Sequence, residues 1–169
     1  MKKLLAIALC LLLLSGCSSH SLMDHISTPP PTEPTSTAGT TGTTAAPHIN
    51  FFVYQANEQL DGYIRTEVTI EKLDPNLILQ AMQNIGVLRE DVQILSHTIK
   101  DGQLNLDMND PFMAQLCSLG ALTEGLLMGS VVNTFLSAYT DCETMMVTVE
   151  GNIIHSGHVD YDFPMHRDE

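Results

Sequence analysis

Val92-Gln93-Ile94-Leu95-Ser96-His97-Thr98-Ile99-Lys100-Asp101-Gly102-Gln103-Leu104-Asn105-Leu106-Asp107-Met108 is the stretch on which the fold turns. Two runs of alternating apolar and polar residues flank Asp101-Gly102. Alternation with period two marks a strand with one buried face, and Asp-Gly supplies the left-handed backbone that a two-residue hairpin turn demands. An antiparallel hairpin follows. Further along, Thr144-Met145-Met146-Val147-Thr148-Val149 and Ile153-Ile154 flank Glu150-Gly151-Asn152, the pattern of a second, terminal hairpin. Working outward in the other direction, Ile49-Asn50-Phe51-Phe52-Val53-Tyr54 is a β-branched and aromatic run closed by Asn57, and Val68-Thr69-Ile70 lies in a second extended stretch.

Two helices fill the gaps. Asp74 before Pro75 is an N-cap followed by proline at the first helical position. Leu77, Leu79, Ala81 and Met82 carry this short amphipathic helix, and Gly86 stops it. From about Leu119 to Tyr139 the pattern is again helical, with Leu127, Met128, Val131, Val132, Phe135, Leu136 and Tyr139 forming a broad apolar stripe. Ser130, Asn133 and Ser137 are expected to face away from it. Gly125 and Gly129 lie beside the stripe and allow a neighbouring element to approach closely. Glu124, Ser130 and Asn133 interrupt the segment, so it reads as a core helix and not as a membrane span. The order strand, strand, helix, hairpin, helix, hairpin predicts an α+β domain: a two-layer sandwich, its sheet mostly antiparallel, with two helices on one face.

The core-forming material is confined to the later part of the chain. Of 169 residues, 44% are hydrophobic, but no aromatic residue precedes Phe51. Residues 48–169 therefore form the domain. Ahead of it, Met1-Lys2-Lys3 is a basic start and Leu4 to Leu14 an apolar run, too short for a membrane span of roughly 20 residues. Leu14-Ser15-Gly16-Cys17 completes a bacterial lipoprotein signal. Residues 1–16 are read as the cleaved signal peptide. The Cys17 thiolate is the nucleophile that takes the diacylglycerol group, and with palmitate-type chains of roughly 0.8 kcal/mol per buried methylene it anchors the protein without a transmembrane helix.

Residues 17–47 then read as the lipidated cysteine plus a disordered tether. Pro29, Pro30, Pro31, Pro34 and Pro47 alternate with many threonines, a composition too poor in apolar groups to offset its ordering entropy. Its coil-like reach is about 30 Å and its full extension about 100 Å. Seven Lys and Arg stand against twenty Asp and Glu, and loss of Lys2 and Lys3 with the signal leaves a net charge of −15. Such a chain repels nucleic acid and anionic headgroups. The expected location is the extracytoplasmic face of the cell membrane.

Laid out in this way, the residues from Ile49 to Met165 resemble the GerMN domain, the sporulation and germination module of bacterial envelope lipoproteins. The resemblance is carried by Gly125-Leu126-Leu127 and Val132-Asn133-Thr134-Phe135-Leu136, then Val147-Thr148-Val149-Glu150-Gly151 and Gly157-His158-Val159-Asp160 ahead of Phe163-Pro164. The hairpin from Ile99 to Asp107 is similar too. A departure occurs at Ala138-Tyr139-Thr140-Asp141-Cys142, where members of the family often carry a glycine-containing turn. The resemblance implies a lipid-anchored envelope module that binds or scaffolds, with an envelope protein or peptidoglycan as partner. It brings no catalytic residue and no cofactor.

Candidate sites divide by chemistry. His155, His158, Asp160, Asp162 and His166 form the densest set of metal-ligand types. If the segment from Ile154 to Asp162 is extended, His158, Asp160 and Asp162 share a face and could serve a zinc-type ion. Polar residues near a solvated chain end also need no ligand to explain them. The alternative to a scaffolding role is thus a small-ligand or metal-binding lipoprotein. Met145 and Met146 are the candidate partner surface, although neighbours on a strand must face opposite ways. Cys117 and Cys142 flank a helix of some eighteen residues, about 27 Å long, which favours two free, partly buried thiols. Ser130 sits mid-helix without the strand-to-helix elbow of a hydrolase, and nothing in the spacing pairs Cys117 with His97 or His155. No enzyme activity is expected. Glu67, Glu71, Glu90 and Asp91 read as solvated positions.

Overall fold

Alternation of apolar and polar residues sets the larger sheet. A computed structural model describes residues 48–168, and the signal peptide, Cys17 and the tether lie outside them. Strands β3 (Ile94–Lys100) and β4 (Gln103–Met108) pair antiparallel, with Lys100 opposite Gln103. Asp101 and Gly102 form the two-residue turn, with φ of 51° and 75°. Strands β5 (Thr144–Val149) and β6 (Asn152–His155) repeat the device, with Glu150 and Gly151 at φ 50° and 75°. Leu104, Leu106 and Met108 of β4 and Met145, Val147 and Val149 of β5 are buried, while the residues between them are only partly covered. One face of this sheet thus meets the core.

The remaining strands extend the terminal hairpin. β7 (Asp160–Tyr161) pairs with β6, and β8 (Met165–His166) returns to pair with the start of β5. β4 and β5 run parallel along their full length, the one parallel pairing among the described strands. β1 (Ile49–Ala56) and β2 (Tyr63–Ile70) form a separate antiparallel pair.

Three helices pack on these strands, one more than the sequence reading foresees. α1 (Pro75–Ile85) has the expected ends: the Asp74 carboxylate accepts from the Asn76 N–H at 2.9 Å, and Gly86 terminates it. α2 (Asp110–Cys117) is the unforeseen element. It buries Phe112 and Leu116, and its entry, Asn109-Asp110-Pro111, repeats the acid-proline start of α1. α3 (Ala121–Ala138) is the central helix, and it ends at Tyr139 with no left-handed residue between 139 and 142. The sequence there manages its turn without glycine.

The architecture is α+β, as expected, and besides the third helix and the separate β1–β2 sheet it corrects the reading of one flank of α3. Ser130 and Asn133 do not face away from the core: both are 1% exposed. α3 is covered on both sides, because β1 lies along the flank that the sequence pattern assigns to solvent. Ser130 returns its hydroxyl to the Leu126 carbonyl at 2.8 Å. Ser137 accepts from the Phe52 N–H at 3.0 Å and lies 2.9 Å from the Phe52 carbonyl, and Thr134 accepts from the Tyr54 N–H at 3.0 Å. Hydroxyls of α3 therefore occupy the β1 edge that β2 leaves unpaired, which is one way a protein protects an open sheet edge.

Candidate functional site

The His/Asp-rich end does not stay extended. Ser156 to Val159 make a turn between β6 and β7, closed by the Ser156 N–H to the Val159 carbonyl at 3.2 Å. This turn separates the candidate ligands. His155 and Asp160 are cross-strand partners, joined at 2.8 Å on an exposed surface. His158 points instead to α3, where its Nδ1 lies 2.7 Å from Glu124 Oε2. Asp162 is exposed beyond β7, and His166 pairs with Thr144 on β8. Among the described residues no three His, Cys, Asp or Glu side chains converge as a metal set. The period-two argument required a straight strand, and Gly157, at φ 94°, bends it.

What the turn does build is a polar clasp. Glu124, in the first turn of α3, is fully buried, yet its carboxylate accepts from the Ser156 hydroxyl at 2.5 Å and the Tyr161 hydroxyl at 2.9 Å besides meeting His158. Burial pushes this carboxyl upward, but the hydrogen bonds from Ser156, His158 and Tyr161, with the charge interaction with His158, outweigh it and hold the group below its ordinary range. Burial, then the bond to Glu124, drives the Tyr161 phenol up. The clasp fastens the β6–β7 hairpin to α3. Ser156 is committed to Glu124 and accepts the N–H groups of His158 and Val159, so it is a turn-stabilising hydroxyl. The sequence reading names His158 as a candidate but takes Glu124 only as an interruption of the apolar segment. The signal was present, since Glu124 is the one charged residue of α3 and an acid in the first turn is well placed for the helix dipole.

Other candidates are dispersed. Met145 is fully buried beneath the sheet and cannot belong to a surface, which corrects that half of the methionine pair; Met146 is half-buried on the opposite face. Cys117 is exposed and Cys142 buried, both as free thiols. Burial, with the Asp141 charge, raises the Cys142 thiol. Cys117 Sγ lies 3.7 Å from the Ser156 carbonyl and His97 stands on exposed β3, so no thiol–imidazole pair forms there.

A cleft missed by the sequence reading lies between the outer face of β1–β2 and α3. It measures about 680 Å³ and is lined by Tyr54, Asp61, Gly62, Tyr63, Arg65, Leu126, Asn133 and Asp168. Pairing Tyr54 with Arg65 and Ala56 with Tyr63 puts both tyrosines on one sheet face. Their rings meet edge to face at 6.2 Å. Tyr63 reaches α3 because Gly129 has no side chain: a Cβ there would lie 1.9 Å from the phenol oxygen. Gly129 thus allows the close approach expected of it, whereas a Cβ on Gly125 would meet nothing. Burial, then the nearby Asp168 charge, raises the Tyr63 phenol. Asn133 anchors the far wall by accepting from the Asp168 N–H at 2.8 Å. No described helix is long and apolar enough to cross a membrane.

No protein-family model matches the chain, and no curated protein matches it. Solved structures do. The tandem GerMN domains of the sporulation protein GerM from Bacillus subtilis share 23% identity at a TM-score of 0.50, over 78% of this chain and 49% of that one. The match thus spans about half the length of the tandem pair. The first GerMN domain of the same protein matches over 71% of this chain and 96% of its own, at 15% identity and a TM-score of 0.49. A chain from Clostridium perfringens, provisionally described as a lipoprotein, matches at 17% identity and a TM-score of 0.47, over 70% and 87% of the two chains. The domain is GerMN-like in fold.

Proposed function

We propose that this protein is a lipid-anchored, extracytoplasmic binding or scaffolding module of the cell envelope that acts in sporulation or spore germination. The observation that carries the reading is the GerMN-like fold standing downstream of the lipobox Leu14-Ser15-Gly16-Cys17. Two features of the domain support a binding role. Its cleft is assembled on a hairpin and a helix that are locked together by Ser137, Thr134 and Gly129. A surface shaped in advance loses little entropy when it receives a partner. Three polar side chains, in turn, are committed to architecture: Glu124 to the clasp, Ser130 to its own helix, Ser156 to its turn.

The test has two arms. Replacing Cys17 with alanine is expected to move the protein from the detergent phase to the aqueous phase in phase partitioning. Deleting the protein from its host is expected to lower the yield of heat-resistant spores or their germination, with rescue by the native chain and not by Cys17→Ala. Unchanged partitioning overturns the anchor, and unchanged spore yield and germination overturn the assignment to sporulation.

A further inference from the structure

Beyond a binding role in general, the cleft has a chemistry of its own. Arg65 lies in its wall with the guanidinium carbon 5.5 Å from the centre of the Phe52 ring, and Phe52 is 40% exposed. Among the described residues no carboxylate pairs with Arg65, although the protein carries twenty acidic residues. The guanidinium over the Phe52 ring makes a cation–π contact, and among the described residues no hydrogen bond or ion pair uses its donors. Tyr54 lies directly opposite Arg65 across the β1–β2 ladder, with Tyr63 beyond it. Phe52, Tyr54 and Tyr63 thus share one sheet face, and the two tyrosines line the cleft with Arg65 and the carboxylates of Asp61 and Asp168, Phe52 standing just outside it.

We infer that this face binds a glycan strand, with a sugar ring laid on Tyr54 beside the Arg65–Phe52 pair and its oxygens taking the Arg65 donors. The inference rests on the envelope reading above and names its ligand class. A sugar ring presents an apolar C–H face, which suits the negative face of an aromatic ring, and a rim of oxygens that both donate and accept. The cleft offers both counterparts: a guanidinium that only donates, carboxylates that only accept, and phenols that do either. The net charge of −13 disfavours a polyanionic strand at the same place.

The experiment is co-sedimentation of the detergent-solubilised, full-length protein with peptidoglycan freed of proteins and secondary wall polymers, and then with chitin, an insoluble, uncharged β-1,4-linked N-acetylglucosamine strand that carries no peptide. Binding to both is expected. Phe52→Ala and Arg65→Ala are each expected to weaken it about tenfold, a loss of about 1.4 kcal/mol, while Lys100→Ala on distant β3 leaves it unchanged. Thermal melts of both variants should match the native protein, since each side chain is exposed, and so a loss of binding is not a loss of fold. Failure to sediment with either polymer, equal sedimentation of all variants, or binding to peptidoglycan and not to chitin overturns the glycan site. None of these readouts involves Cys17 or spore yield, so the envelope reading stands or falls separately.

Discussion

Glu124 shows how one side chain can hold two elements together. It has no exposed surface and three partners from the β6–β7 hairpin, so removing its charge leaves donors aimed at a group that no longer receives them equally. Glu124→Gln is expected to lower stability by about 2 kcal/mol in urea unfolding at neutral pH. The pH dependence has a definite sign. The native carboxyl titrates below its ordinary value of 4.5, so its contribution is intact above that pH and drains away as the pH falls through the native value. The variant should therefore show a flatter acid limb than the native protein below pH 4.5. Equal acid limbs would show that the clasp contributes nothing through this titration.

At the scale of elements, the decisive contact is the one between α3 and the edge of β1. Thr134 is fully buried and supplies the acceptor for the Tyr54 N–H, whereas Ser137 serves Phe52 where water can substitute. Thr134→Val is expected to cost about 1–3 kcal/mol, and Ser137→Ala less, about 0.5–1 kcal/mol. Amide hydrogen exchange reads the two directly. Tyr54 should lose protection in the first variant and Phe52 in the second, with the β3–β4 ladder unaffected by either. A uniform loss across both sheets would instead mean that β1–β2 does not open on its own.

At the scale of the whole molecule, the sandwich closes without a disulfide among the described residues. Cys117 lies exposed at the end of α2 and Cys142 is buried near the start of β5, so a thiol reagent should modify Cys117 in the folded protein and Cys142 only on unfolding. Burial and the Asp141 charge raise the Cys142 thiol, which slows it further by depleting the thiolate. A reductant should leave the melting temperature unchanged. A shift of several degrees would reveal a bond between these cysteines.

Local chemistry alone determined the two hairpins, since Asp101-Gly102 and Glu150-Gly151 impose their turns whatever surrounds them, and likewise the start and stop of α1 at Asp74-Pro75 and Gly86. α2 was within reach, because Asp110-Pro111 repeats the same entry signal, but its eight residues are too few to display a helical period of their own. Only the tertiary structure decided the rest. Periodicity can say that Ser130, Asn133 and Ser137 share the less apolar flank of α3, but not whether water or another strand meets that flank. Backbone groups of β1 satisfy Thr134 and Ser137 there, and the same docking brings Tyr63 over Gly129 to make the cleft. Glu124 and His158 are 34 positions apart and meet at 2.7 Å. A pairing of that separation leaves no trace in local pattern, because it depends on where the chain returns and not on how it begins.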